Sequence, residues 1–294
     1  MPNLLSRRNV LAGAVMTAGA AALLKGGLTP TPVHAQESIP NGTVHSFTKN
    51  GVKFHSYVSP ARTVNVTSHV IEMGDKLLVC DATMIPPTAG EVAALIASTG
   101  KPVHTAYVSH EHPDHCGGVG AMGHITFSTL PRVRENLREE VTGGEWMEPT
   151  SLLNGPDIAL GITEIGGVPV EYRAYDNNEA LKMLVAVLPE QKVAIVQDLV
   201  YNGVYFAPGM DRKNWIKTLE TLRDDPAFDT LLVGHGVPST RGELTTAISY
   251  LHEMDRIWNE SETADDFVSG MKSAYPGYSG KFLLNLAKSY WNKG

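Results

Sequence analysis

Cysteine is nearly missing from this chain: Cys80 and Cys116 are the only two in 294 residues, and neither belongs to a C-x-x-C pair. A disulfide scaffold is therefore excluded. Each cysteine falls near the end of a predicted strand, so a single bridge between them stays open, although two separate buried thiols are the preferred reading. Positive charge is also short. Lys and Arg total 24 against 31 Asp and Glu, a formal net charge of −7. Phosphate binding rests on clustered Lys and Arg, so a nucleic-acid partner is excluded. The apolar run that ends at Leu24 spans about fifteen residues and is interrupted by Gly, short of the ~20 that a membrane-spanning helix needs. No internal repeat and no linker inside the body of the chain is visible. What is present is ordinary globular composition, with 43% hydrophobic residues, 19% charged residues and 28 Gly.

The first thirty-five residues read differently from the rest. Ser6-Arg7-Arg8-Asn9-Val10-Leu11 opens the small-residue apolar run, and Thr31 to Ala35 supplies an A-x-A-like cleavage site before Gln36. Residues 1–35 are expected to be a twin-arginine export signal, handled by the twin-arginine export machinery and cleaved. That leaves one domain, 36–294, periplasmic or secreted and without a stable membrane anchor. Cleavage removes Arg7, Arg8 and Lys25 and no acid, which takes the formal net charge from −7 to −10.

Beyond a polar linker, Gln36 to Asn50, the β-branched and apolar runs Val52 to Val58, Val64 to Met73 and Lys76 to Asp81 read as hairpin-like strands. A helix is predicted from Thr88 to Ser98, then a strand from Val103 to Ser109. Ile125 to Ser128 (strand) and Leu130 to Val141 (helix) follow. Four more strands are predicted over Ile162 to Ile165, Val168 to Tyr175, Leu181 to Leu188 and Lys192 to Gln197, with Asp198 closing the last. A helix from Arg212 to Arg223, a strand from Thr230 to Val233 and three C-terminal helices (Gly242 to Asn259, Ala264 to Ala274, Phe282 to Tyr290) complete the chain. Strands then helix occur twice over, which implies two β-sheets packed face to face with helices outside. Tyr250, Leu251, Met254, Ile257 and Trp258 recur at helical spacing, a face that either covers a sheet or forms a homodimer contact.

Chemistry concentrates in Val108-Ser109-His110-Glu111-His112-Pro113-Asp114-His115-Cys116-Gly117-Gly118. Imidazole nitrogens and carboxylate oxygens suit zinc and similar divalent ions. On an extended turn, His110, His112 and Asp114 would share one side and His115 would face the other way. One ion could be held by His110 and His112 and a second by Asp114 and His115, the arrangement of a two-metal hydrolytic site.

The H-x-H-x-D-H run from His110 to His115, with Asp198 ending a later strand and His235 in Gly-His-Gly, resembles the metallo-β-lactamase superfamily over essentially all of residues 36–294. The resemblance implies an α+β fold, an αββα sandwich of two mixed β-sheets with outer helices, and one or two metals at one edge of the sheets. It implies that His110 and His112 bind the first metal, that Asp114, His115 and His235 bind the second, and that Asp198 bridges. Asp114 and Asp198 are the carboxylates expected to act in catalysis. The cofactors would be two divalent ions, zinc by expectation, with manganese or iron as alternatives. The nucleophile would be a water acidified by coordination.

One position departs from the pattern. Most members supply a third histidine to the first metal in a turn before the bridging Asp, whereas Tyr175-Asp176-Asn177-Asn178-Glu179-Ala180-Leu181 has none. Glu179, 19 positions before Asp198, is the preferred replacement and Asp176 its competitor; the superfamily's alkylsulfatase branch is similar in using a Glu there. Asp81 is expected to orient a metal-bound histidine. Tyr201 and Tyr205, with Asn202, are candidates to donate to a developing oxyanion. Trp146 and Met147 could wall the site, and Arg173 and Lys182 could hold an anionic substrate, although solvated charge is the safer reading. His55, His69, His104, His124 and His252 lie outside the spacing.

The expected activity is hydrolysis of an ester- or lactone-type bond of a small-molecule substrate. Alkyl or aryl sulfate-ester hydrolysis comes second. β-Lactam hydrolysis is a further alternative, disfavoured for enzymes with a cysteine ligand because Cys116 adjoins His115. An iron-dependent oxidoreductase on the same scaffold and a non-catalytic metal-binding export protein are the readings from other classes.

Overall fold

A computed structural model describes residues 41–141, 153–206, 208–209 and 211–291. The predicted export signal and Trp146 and Met147 lie outside the described residues.

Twelve strands form two six-stranded sheets among these residues. In the first, β1 (Thr43–Lys49), β2 (Val52–Val58), β3 (Thr67–Met73) and β4 (Lys76–Cys80) make an antiparallel meander; β5 (Val103–Tyr107) and β6 (Phe127–Ser128) then add in parallel. The second repeats the plan with β7 (Gly161–Ile165), β8 (Val168–Asp176), β9 (Lys182–Leu188) and β10 (Val193–Tyr201) antiparallel, β11 (Thr230–His235) parallel to β10, and β12 (Ser239–Thr240) at the edge. A parallel pair needs a crossover, supplied by α1 (Pro86–Ser98) between β4 and β5 and by α4 (Arg212–Asp224) between β10 and β11. The short α2 (Pro113–Cys116) and α3 (Pro131–Val141) complete the first half. The C-terminal helices α5 (Gly242–Glu260), α6 (Ala264–Ala274), α7 (Lys281–Asn285) and α8 (Ala287–Tyr290) complete the second.

Strands β9 and β10 show why the sheets stack between helical layers. Leu184, Ala186, Leu188, Val193 and Ile195 join the core shared with the first sheet, while the alternate residues Met183, Val185, Val187, Ala194 and Val196 join the core under α4 and α5. A strand buried on both faces has no polar alternation, which is why these two read as unbroken apolar runs. The predicted αββα sandwich is the architecture found. Tyr250, Leu251, Met254 and Ile257 are buried in that second core, so this face of α5 covers the sheet. No described helix is long and apolar enough to cross a membrane.

Several boundaries differ from the sequence reading. The supposed linker contains β1, a strand at the edge of its sheet whose residues are all exposed or half-buried, so its pattern lacks an apolar face. The missed signal was Asn50-Gly51, whose φ values of 47° and 78° make the two-residue turn that pairs Lys49 with Val52. The strand predicted from Val64 begins only at Thr67, because Ala61–Thr63 form a 3₁₀ turn and Val64 and Asn65 are left-handed. Strand β10 continues through Asp198 to Tyr201, past an irregularity at Gln197. The last predicted helix is two short ones. Cys80 and Cys116 are both buried and are not bridged to each other.

Candidate metal centre

The ends of β5, β9, β10 and β11 converge on one point. The extended-turn expectation fails at His115: Pro113 starts the short helix α2 with His112 as its N-cap, and the helical turn brings Asp114 and His115 round to the same centre as His110. The structure gathers His110, His112, Glu179 and Asp198 in one group, and Asp114, His115 and His235 in a second, with ligand-type atoms in each group within 4.8 Å of one another. Asp198 lies between the groups. Its Oδ2 is 3.6 Å from His110 Nε2 and 3.3 Å from His235 Nε2, and its Oδ1 is 3.0 Å from His115 Nε2. Asp114 Oδ2 is 3.3 Å from His235 Nε2.

Glu179 reaches this centre and Asp176 does not. Glu179 Oε2 lies 3.1 Å from His112 Nδ1 and 3.9 Å from His110 Nε2, fully enclosed. Asp176 is exposed and pairs with Lys182 at 2.7 Å. The Glu179 turn is stitched to the histidine stretch. Buried Glu111 accepts from Leu181 N at 3.0 Å, and Leu184 N donates to Ser109 O at 2.9 Å.

Hydrogen bonds behind the rings select which nitrogen faces inward. His115 Nδ1 donates to Asp81 Oδ2 at 2.7 Å, and His235 Nδ1 donates to Val64 O at 2.8 Å. Ser109 Oγ donates to Asp81 Oδ2 at 2.7 Å, which leaves it to accept from His110 Nδ1 at 2.8 Å. Each Nε2 is thereby turned toward the centre, where the neutral ring has its lone pair to offer a metal. Asp81 also accepts from Ser109 N at 2.7 Å and from Gln197 Nε2. Gln197 is therefore a site residue that sequence reasoning missed. It has φ 44°, a left-handed value rare for a residue with a side chain, and it links Asp81 to buried His69, whose Nε2 is 3.0 Å from Gln197 Oε1.

The remaining candidates divide. Tyr201 stacks on His235 with ring centroids 4.6 Å apart, and its hydroxyl donates to Asp198 Oδ2 at 2.7 Å. Tyr205 does not reach the centre: its hydroxyl donates to Tyr275 O at 2.7 Å among the C-terminal aromatics. Asn202 donates to Val237 O. Arg173 is spent on Glu171 and Asp225. His55 is paired with Glu72.

The electrostatics are those of interleaved imidazoles and carboxylates. Burial, reinforced by His115, pushes His110 well below the ordinary imidazole value. Burial works against charge at His115 too, but Asp198, Asp114 and Asp81 overcome it and hold the ring well above that value. Against the same burial, Glu179 raises His112 to about 10, and Asp198 with Asp114 raises His235 to about 9. Burial lifts the Glu179 carboxyl above its usual range, with His112 opposing. His110 Nε2, His115 Nε2, His235 Nε2, Glu179 Oε2 and Asp198 Oδ1 are buried without a hydrogen-bond partner. Five orphaned buried atoms aimed at one another are costly unless something bridges them, and a divalent cation fits this donor set.

The family model described as "Metallo-beta-lactamase superfamily" matches residues 61–235, more than half the chain and the span that holds every residue gathered here. The chain belongs to the metallo-β-lactamase superfamily. It is accordingly a metallo-hydrolase whose fold binds divalent metal. Solved structures agree on the fold. The metallo-β-lactamase from Pontibacter korlensis superposes with TM-score 0.58 at 18% identity, over 71% of this chain and 99% of its own. TMB-1 gives TM-score 0.56 at 17% identity over 74% of this chain and 100% of its own, and DIM-1 gives 0.56 at 14% over 73% and 99%. No curated protein matches. At such identities the superpositions speak for the superfamily's sandwich and not for a substrate.

Proposed function

We propose that this superfamily member is an exported hydrolase that opens an ester- or lactone-type bond of a small uncharged molecule. Two divalent ions, zinc by expectation, would be held by His110, His112 and Glu179 and by Asp114, His115 and His235, with Asp198 common to both; when bound they acidify water toward a pKa of ~7 and polarise the scissile carbonyl. Tyr201 fixes the Asp198 carboxylate through its hydroxyl. Asp81 and Ser109 orient His115 and His110. His112 and Asp114 are the only members of the two groups that retain solvent exposure, so substrate approaches over them. Asp114, one of the two groups that keep some exposure, is the carboxylate to which we assign proton transfer between water and the leaving alkoxide.

The observation that carries the choice of bond is the commitment of the flanking cations. Lys182 is paired with Asp176 and Arg173 with Glu171 and Asp225, so an anionic headgroup would have to displace a carboxylate from either. A neutral carboxylic ester or lactone needs no such partner, whereas a sulfate ester gains from one. The sulfate reading retains one specific support, the Glu179 carboxylate facing His112 where a third histidine is usual. Steady-state rates of the metal-loaded protein on matched esters, lactones, alkyl sulfates and β-lactams test the choice: fastest turnover on a lactone or ester is expected, and turnover confined to sulfates or β-lactams would overturn it. Metal analysis of protein purified from its own host separates zinc from iron, and redox-active iron would favour the oxidoreductase reading. Export predicts a periplasmic chain starting at Gln36, read by N-terminal sequencing.

A further inference from the structure

Away from the metal centre, the outer face of the first sheet carries a second chemical constellation. Ser46 on β1 lies opposite His55 on β2, and its Oγ is 2.7 Å from His55 Nδ1. His55 Nε2 is 2.8 Å from Glu72 Oε1 on β3. Glu72 is in turn gripped by Lys53 Nζ at 3.3 Å and Lys101 Nζ at 2.8 Å. Ser46 is exposed, while His55 and Glu72 are largely covered. A carboxylate that accepts from one ring nitrogen puts the lone pair on the other, and that lone pair faces a hydroxyl proton. This is the logic of an activated serine: nucleophile, base and orienting acid in hydrogen-bond sequence.

Strand register adds a further element. Lys49 and Val52 flank the two-residue turn and form a hydrogen-bonded pair, so alternation along the ladder makes Ser46 and His55 a non-hydrogen-bonded pair. Side chains approach closely at such a pair. The backbone N–H of Ser46 also points away from β2, toward the free side of β1, which is the outermost described strand of its sheet. An N–H beside its own Oγ is a donor for the oxygen that becomes negative when that Oγ attacks a carbonyl or phosphoryl group. Lys53 and Lys101 keep Glu72 ionised, its pKa lowered to about 2 against the opposing effect of burial.

We propose that Ser46, with His55 as base and Glu72 as its orienting acid, is a second nucleophilic centre that accepts acyl or phosphonyl groups from small electrophilic donors. With an ester donor, Ser46 Oγ bonds to the carbonyl carbon as its proton passes to His55 Nδ1. The C–O bond then breaks and the imidazolium returns that proton to the leaving alkoxide. The products are an alcohol and a seryl ester, with no change of oxidation state. The centre needs no metal and shares no residue with the site at Asp198.

The test uses the full chain, with and without chelator, incubated with a fluorophosphonate probe and read by peptide mass spectrometry. Expected is a phosphonyl adduct on Ser46, unaffected by chelator, absent in Ser46→Ala and slowed at least tenfold in His55→Gln and Glu72→Gln. Ser46→Ala should leave metal-dependent hydrolysis unchanged. No adduct on Ser46 in the wild-type chain overturns the proposal, and so does an adduct whose rate is the same in folded His55→Gln.

Discussion

The two halves of the molecule follow one plan and use it differently. Each runs an antiparallel four-strand meander into a helix and then a parallel strand. In the first half Asp81 directly follows β4, and Ser109-His110 follow the end of β5 after one intervening residue. In the second, Asp198 lies late in β10 and Gly234-His235 ends β11. Asp81 and Asp198 hold equivalent places, yet Asp81 is saturated by Ser109, His115 and Gln197 while Asp198 keeps Oδ1 without a hydrogen-bond partner. The residue before each histidine accounts for much of this. Ser109 brings a hydroxyl that binds Asp81. Gly234 brings nothing, and a Cβ placed there would stand 1.8 Å from Asp198 Oδ1. One half spends its carboxylate on positioning, and the other turns the equivalent carboxylate toward the reacting centre.

Exchanging these roles should give the largest effect. Asp198→Asn is expected to remove more activity and more bound metal than Asp81→Asn, for which an outer partner's ~10–100-fold loss is the guide. The order should reverse for stability, because Asp81→Ala strands several buried donors and should cost about 3–5 kcal/mol in a denaturant titration. Equal effects of the two substitutions on metal content would erase the distinction. Next comes Gly234→Ala, which forces Asp198 to shift by ~1 Å and should cost roughly 10²-fold in kcat/KM. Its counterpart Ser109→Gly removes a hydroxyl that makes two buried hydrogen bonds, to Asp81 and from His110, and should cost about 1–3 kcal/mol of stability and a smaller part of the bound metal than Gly234→Ala. Glu179→Ala should lower metal content and rate, with Glu179→His restoring part of both; full metal and full rate in the alanine variant would remove Glu179 from the centre. Asp176→Ala, on the same turn but paired outward with Lys182, should change neither.

The smallest effect lies on the outer face of the first half. Glu72 has its folded pKa depressed to about 2, so its contribution, ~1 kcal/mol for a partly buried pair, is present above the ordinary value of 4.5 and lost as pH falls toward 2. Wild type and Glu72→Gln should therefore differ in thermal midpoint at pH 6 and converge near pH 2. A constant difference across that range would show that packing, and not charge, is responsible.

Much of this organisation was legible because it rests on local patterns. Strands buried on both faces announce themselves as apolar runs, and three histidines and two carboxylates within six positions stand out in any sequence. The preference for Glu179 over Asp176 agrees with the geometry, but it rests on spacing and resemblance; the physical reason, that Glu111 holds the turn through Leu181, is a tertiary contact with no sequence signal. Strand β1 was missed because an edge strand with neither face fully buried has no period to detect. Gln197 was invisible for another reason. Its importance comes from a backbone irregularity that aims its amide at Asp81 in the opposite sheet, and an amide among apolar neighbours gives no warning of that. The tyrosines were equivalent in sequence, and only the course of the chain after β10 sends Tyr201 to Asp198 and Tyr205 to the C-terminal helices.

The rings of His110, His115 and His235 are each anchored from behind by Ser109, Asp81 and Val64, all parts of the polypeptide itself. Which nitrogen of each ring faces the centre is thus decided one hydrogen bond away from it. Two of the three anchors are side chains that a substitution can remove, whereas Val64 offers a main-chain oxygen that none can, so His235 is the ring whose orientation is hardest to change by altering its neighbour.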